Sequence, residues 1–385
     1  MLGPSYRNIP LRLPFVIYLG VLIAVFTPPD LRAQDNTNPA ADTLVFPNGE
    51  KLIGHLESVA GGTAKFKSDT LGEINVDLSK VQEFHTSKEY AVIQKDVKLG
   101  RGATGSQIPQ GAISITEKEV DVTGGNGQSA QTIDVGDVGN IVDEAAFQAA
   151  LHHASIFAHW KGAVVFGSSI VAATQNSLNF TTSASVTRTA PTEDWLDTRD
   201  RTILDFSDSY GKVSQTGVPT VVTSIFHADG ERDEYFSSRV YAQAGVAFDH
   251  NLSQGLNLQQ VYGGGIGWTV IQKANQTLDL KGSVDYERQS FDVPGGDLNL
   301  VDSIFSQTYN LKFSKGILMK EQIFASPAWT NTRAYSGYAS VGITLPIYKR
   351  FGFNAATIDS FLNNSPAGFE KNSFQFTTGL SYSLP

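Results

Sequence analysis

Between Tyr235 and Phe248 the chain alternates. The even positions, Phe236, Ser238, Val240, Ala242, Ala244, Val246 and Phe248, are apolar or small, with an aromatic at each end. The odd positions include Ser237, Arg239, Tyr241, Gln243 and Gly245 and are largely polar. Alternate residues of a strand point to opposite faces. Phe236 and Phe248 would stand about 40 Å apart along a strand rising ~3.3 Å per residue. Tilted by about 40°, that strand spans roughly 30 Å of height, which suits a lipid-facing band with an aromatic girdle at each edge.

The same period recurs from Trp160 to Pro385. The even face carries Leu256, Leu258, Tyr262, Ile266, Trp268 and Val270, then Leu278, Leu280, Val284 and Tyr286. The phase then moves to odd residues, Phe305, Tyr309, Leu311 and Phe313, followed by Tyr335, Val341, Ile343 and Leu345. The last segment returns to even positions, with Phe374, Phe376, Leu380, Tyr382 and Leu384 on one face. The opposite faces hold charge. Arg239, Gln243, Asp279, Lys281, Asp285 and Glu287 are the candidates for lumen-facing residues. A packed apolar core would reject such groups unless paired, whereas a wet lumen accepts them. The predicted fold is therefore all-β, with a C-terminal antiparallel transmembrane β-barrel over 160–385.

The pattern yields eleven strands, near 160–173, 175–189, 201–213, 232–248, 254–270, 276–290, 301–314, 320–329, 334–346, 350–361 and 372–384. Bacterial single-chain barrels have even strand numbers. Ten to twelve strands are expected, with twelve favoured, and the stretch 214–231 reads as a long loop. A soluble β-sandwich also alternates, but these strands are long against a soluble mode of ~5–6 residues.

Residues 42–142 read differently. Strands are short and turns frequent, beginning with an Asn48-Gly49 turn between apolar runs. Glu73-Ile74-Asn75-Val76-Asp77-Leu78 is echoed by Thr132-Ile133-Asp134-Val135 and the residues that follow each. A small SH3-like β-roll is expected here, built of two half-units. Asp143 then caps an Ala-rich stretch that suits a short helix, making 143–159 a helical connector. Ahead of the module, Arg7 and Arg12 precede an apolar run from Leu13 to Phe26, and Ala33 offers a small residue for cleavage. That run is short for a spanning helix of ~20 residues. Residues 1–33 read as a secretory signal peptide, with an uncleaved N-terminal anchor as the alternative, and the signal would place the module in the periplasm.

Composition narrows the chemistry. Charged residues make up 17% of the chain, below the roughly 25% of ordinary soluble domains. The net charge is −9, which disfavours nucleic acid as a partner. Cysteine is absent, so no disulfide scaffold or thiolate chemistry exists. His152, His153 and His159 cluster without the i, i+4 spacing that sets two ligands on one helical face, and no metal or cofactor is expected. Gly263-Gly264-Gly265-Ile266-Gly267 lies within an alternating strand, so small residues for close packing explain it better than a nucleotide turn. Within the barrel only His227 and His250 remain as candidate bases, and no Ser-centred elbow or phosphate loop accompanies them. No catalytic residue is assigned.

Trp160-Lys161-Gly162, the segment Tyr235 through Val270 with the hairpin after it, and Phe361-Leu362-Asn363-Asn364-Ser365-Pro366-Ala367-Gly368-Phe369 resemble the YdiY-like family of salt-induced outer-membrane proteins, a domain of unknown function. The resemblance covers roughly 160–385, with the β-module as an N-terminal extension. It implies an outer-membrane barrel and supplies no substrate or catalytic residue. Outer-membrane lipid and the barrel-assembly machinery are the implied partners. Such barrels usually finish on an aromatic, whereas this chain ends Tyr382-Ser383-Leu384-Pro385, with Tyr382 as the stand-in. The module could meet peptidoglycan or a periplasmic protein, and a folded unit without a ligand is the simpler reading.

The functional expectation is a non-enzymatic, porin-like barrel serving envelope structure or small-solute and ion passage. Asp279, Asp285 and Glu287 could line a cation-selective route, or pair with Lys281 in a plugged lumen. The alternatives are an outer-membrane barrel enzyme acting on lipid or surface polymer, and a secreted soluble β-rich binding protein.

Overall fold

The computed structural model describes residues 41–384, apart from 69, 96, 98, 101–104, 125–128, 153–155, 173–174 and 194. The expected signal segment 1–33 and His153 lie outside the described residues.

The first region is a nine-stranded antiparallel sheet. β1 (Asp42–Val45), β2 (Lys51–Ala60), β3 (Thr63–Ser68) and β4 (Gly72–Asp77) lead through a 3₁₀ turn, Leu78–Lys80, into β5 (Glu83–Gln94). β6 (Gln110–Thr116), β7 (Glu119–Val122) and β8 (Gln131–Asp134) lead through a second 3₁₀ turn, Val135–Asp137, into β9 (Val138–Asp143). The sequence echo is thus a structural repeat of strand, 3₁₀ turn and strand. Asp77 accepts from the Ser79 amide, and Asp134 accepts from the Gly136 amide. Leu78 and Val135 fill the core at matching places. β5 closes the first half-unit on β1 and serves the second, where β9 pairs back onto it.

Period-2 alternation here turns apolar side chains inward. Leu44, Phe66, Phe84, Ile113, Ile115 and Ile141 are fully buried. Burying each of these side chains contributes roughly 1.5–3 kcal/mol. One carboxylate joins the core. Asp42 is 1% exposed, and it accepts from the Leu56 amide at 2.8 Å and the Ser87 amide at 2.8 Å. It therefore ties β1 to β2 and β5. Tyr90 donates to the Leu56 carbonyl, and burial pushes its phenol above the usual range.

Helix α1 (Glu144–Leu151) follows, with Asp143 accepting from the Ala146 amide as N-cap.

Twelve antiparallel strands then form a closed barrel. They are β10 (Trp160–Ala172), β11 (Gln175–Ala190), β12 (Asp200–Gln215), β13 (Val218–Tyr235), β14 (Val240–Asn251) and β15 (Leu256–Lys273), then β16 (Gln276–Phe291), β17 (Leu298–Lys312), β18 (Leu318–Pro327), β19 (Tyr335–Tyr348), β20 (Phe351–Leu362) and β21 (Asn372–Ser383). Pairs from Ala163↔Ser383 to Phe166↔Leu380 close the ring and leave no free edge. Because the strand number is even, β10 begins and β21 ends at the same mouth, here called proximal. The other mouth is distal.

The outer face is apolar and exposed. Ile266 is 62% exposed, Phe305 60%, Phe376 65% and Leu380 62%. The phases expected for β16, β17, β19 and β21 appear in this exposure.

The alternating stretch from Phe236 to Phe248 is not one strand. β13 ends at Tyr235, and 236–239 form a tight turn before β14. The Ser237 hydroxyl accepts from the amides of Arg239 and Val240, and the Phe236 amide bonds the Val240 carbonyl. Most of the expected loop 214–231 is therefore strand β13, the twelfth stave. Its outer positions include Ala228, Gly230, Arg232 and Glu234, so its apolar alternation is weak.

The two regions share a small apolar cluster. Ile93, Leu99 and Ile108 of the module and Phe147 of α1 pack with Leu196 from the β11–β12 connection. Phe147 stacks on Trp195 at 5.4 Å, and Arg199 donates to the Leu151 carbonyl at 3.0 Å. The module is thereby fixed at the proximal mouth.

Candidate functional site: the barrel lumen

Near the proximal mouth the inner wall is ionic. Arg201 at the start of β12 donates to Asp233 of β13 at 2.7 Å and to Asp279 of β16 at 3.0 Å. Its guanidinium lies 5.0 Å from the Tyr241 ring centre and 5.8 Å from that of Tyr235. Such cation–π contacts strengthen when desolvated, and Tyr241 is fully buried. The glycine run explains how Tyr241 fits. A Cβ on Gly267 would lie 2.2 Å from the Tyr241 ring, and one on Gly263 would lie 1.8 Å from Asp285 Oδ1. The inner glycines of β15 form a floor on which neighbouring side chains rest.

Higher in the lumen, Lys281 pairs with Glu231. Lys320 of β18 reaches Asp205 of β12 at 3.5 Å. Those strands stand opposite each other in the ring, so this pair crosses the lumen. His227 sits between two carboxylates, with Nδ1 2.6 Å from Asp249 and Nε2 2.8 Å from Asp229. Both ring nitrogens are engaged. Phe324 and Tyr338 stack at 5.2 Å on the inner wall of β18 and β19.

Toward the distal mouth, Asp285 and Asp302 are direct cross-strand partners. Ser283 donates to Asp285, Gln289 to Glu287 and Ser326 to Asp302. No Lys or Arg pairs with these three carboxylates among the described residues. The mouth above them is covered by 363–371, the β20–β21 connection. The Asn364 side-chain amide donates to Gln289, and the Glu370 backbone amide bonds the Ser253 carbonyl at 3.2 Å.

The remaining wall is chemically different. The inner faces of β11, β19, β20 and β21 carry no charged side chain. Ser185, Ser340, Thr344, Asn354 and Thr377 line them and are half-buried. One side of the lumen is thus packed with ion pairs, and the other is uncharged, with short hydroxyl and amide groups beside Tyr338 and Ile358.

The structure brings Gln243, Asp279, Lys281, Asp285 and Glu287 onto the inner face. It does not bring Arg239 there. Arg239 lies exposed in the 236–239 turn, because the chain reverses before the strand begins. Sequence reasoning did not place Arg201, Asp205, Asp229, Asp233, Asp249, Asp302 or Lys320 in the lumen, and it named His227 only as a candidate base. The signal was present in β13, where His227, Asp229, Glu231 and Asp233 occupy successive odd positions.

A family model described as a protein of unknown function, DUF481, matches residues 164–384. The chain belongs to that family. No curated protein matches it. Similar solved structures include the NanC porin, at 8% identity and TM-score 0.36, covering 58% of this chain and 100% of that one. An outer membrane channel from Pseudomonas putida F1 is 11% identical, with TM-score 0.35 over 58% of this chain and 95% of that one. The β domain of a Bordetella autotransporter is 10% identical, with TM-score 0.27 over 59% and 98%. These likenesses are too distant to assign a lumen or a solute to this DUF481 member.

Proposed function

We propose that this chain is a non-enzymatic outer-membrane barrel that passes small hydrophilic solutes or ions, with its N-terminal module in the periplasm. Within its family it resembles the YdiY-like salt-induced outer-membrane proteins. The observation that carries the reading is inverted polarity. Large apolar side chains cover the outside of a closed ring, while ion pairs and hydroxyls fill the inside. Lipid accepts the first surface, and only a wet or paired interior accepts the second. The uncharged inner wall supplies a polar route beside the packed ionic one.

An enzymatic role fits less well. His227 is the histidine facing the lumen, and each of its ring nitrogens is held by a carboxylate. Neither is left to take a proton from a nucleophile. The test has two stages. Membrane fractionation with heat-modifiable gel migration should place the folded chain in the outer membrane; recovery as a purely soluble protein contradicts the reading. Purified protein in planar bilayers should give discrete current steps, and a silent barrel would leave an envelope-structural role.

A further inference from the structure

We infer that the segment 363–371 is a gate over the distal mouth. The inference rests on the reading of the lumen as a passage and adds how that passage is controlled.

The segment joins β20 to β21, whose other neighbours in the ring are β19 and β10. On its own side of the ring the Asn363 amide bonds the Tyr335 carbonyl of β19 at 3.0 Å, and its side-chain amide donates to the Arg333 carbonyl at 2.8 Å. The segment also meets the β14–β15 connection, which belongs to strands half-way around the barrel, so the two connections together bridge the mouth. The Glu370 amide bonds the Ser253 carbonyl at 3.2 Å. The side-chain amide of Gln254 donates to the Lys371 carbonyl at 2.9 Å and to the Ser360 carbonyl at 3.1 Å. Gln254 is 3% exposed. Asn364 adds a bond to Gln289 on β16.

Phe369 completes the closure. Its ring rests on Gly255, where a Cβ would stand 2.8 Å from it. Gly255 also has φ +67°, a conformation that favours glycine. One residue therefore supplies both the sharp turn and the seat for the ring.

These contacts differ from those holding the staves. Each barrel strand is tied to two neighbours by a ladder of backbone pairs. Among the described residues, the segment is tied to the opposite wall by single hydrogen bonds and one aromatic contact. None of them belongs to a strand ladder, and the buried contact of Leu362 with Leu256 and Phe291 stands beside them at the strand ends. Beneath the segment, the half-buried hydroxyl wall continues toward the proximal mouth.

The absence of native cysteine permits a direct test. Ser253→Cys with Glu370→Cys places a pair where the backbones already touch. In planar bilayers, the oxidised protein should stay closed and reduction should restore current steps. Gln254→Ala should raise open probability by about 5–30-fold, the effect of losing one to two kcal/mol, with unit conductance unchanged. Heat-modifiable migration confirms that each variant has folded. Replacing 363–371 by a short Gly-Asn turn should hold the mouth open. Equal current from the wild-type, cross-linked and turn-replaced proteins would overturn the gate while leaving the passage intact. Silence from the folded turn-replaced protein would overturn the passage itself, and the gate with it.

Discussion

The module and the barrel are built from the same device and run it in opposite directions. Both are antiparallel sheets with period-2 alternation. In the module, Phe66 and Ile115 have no exposure and the charged residues lie mostly outside. In the barrel, Phe305 and Phe376 face outward, while Asp233 and Asp302 have no exposure. The period states only that the two faces differ. The surrounding solvent decides which face turns in, water for the module and lipid for the barrel. Burial of charge follows the same division. Among the described residues, the module satisfies its one buried carboxylate, Asp42, with backbone amides and a serine. The barrel satisfies several through arginine, lysine and histidine from its own or other strands, and Asp285, Glu287 and Asp302 through serine and glutamine.

The contrast can be broken at several points. Phe66→Ala should destabilise the module by about 3–5 kcal/mol, because its cavity cannot collapse. Phe376→Ala on the barrel wall should cost well below that, since lipid fills the space. Urea melts of protein in bilayers check both, and equal losses would erase the distinction. Next in size, Ala244→Arg on the outer face should cost roughly 2–4 kcal/mol if it lies near the midplane. Gln243→Arg, one residue away but inward beside Asp233, should be much milder. Gly267→Ala should cost about 1–3 kcal/mol through overpacking on Tyr241, seen as a lowered melting midpoint.

The smallest effect is a pH limb in the module. The Ser79 hydroxyl, and then its amide, hold the Asp77 carboxylate below its usual range. Its folded pKa is thus below the unfolded value of about 3.9. The cap contributes stability above that value and loses it as pH falls through the folded one. Asp77→Asn should flatten this limb of a stability–pH curve.

Much of this was legible in sequence. Strong alternation marked most staves within a few residues, because long outward aliphatics and aromatics define the phase. β13 escaped because the proximal half of its outer face offers Ala228, Gly230 and two charges, with the bulky Val222 and Phe226 confined to the other half. The 236–239 turn escaped because it uses serine hydroxyls and contains neither glycine nor proline. The bulges in β15 were equally silent. They shift its register at both ends, so Leu256, expected outward, instead packs with Phe291 and Leu362. For the lumen, residues could be assigned to a face strand by strand. Their partners could not, because Arg201 and Asp279, or Lys320 and Asp205, meet only when the ring closes.

The most direct test of the inverted barrel is a cysteine scan of Val240–Phe248, one label per variant, in vesicles. Lipid-borne and aqueous quenchers are then compared at each site. The account predicts strict alternation, with even positions quenched from lipid and odd positions from water or protected. Equal access of the aqueous quencher to both sets would contradict it.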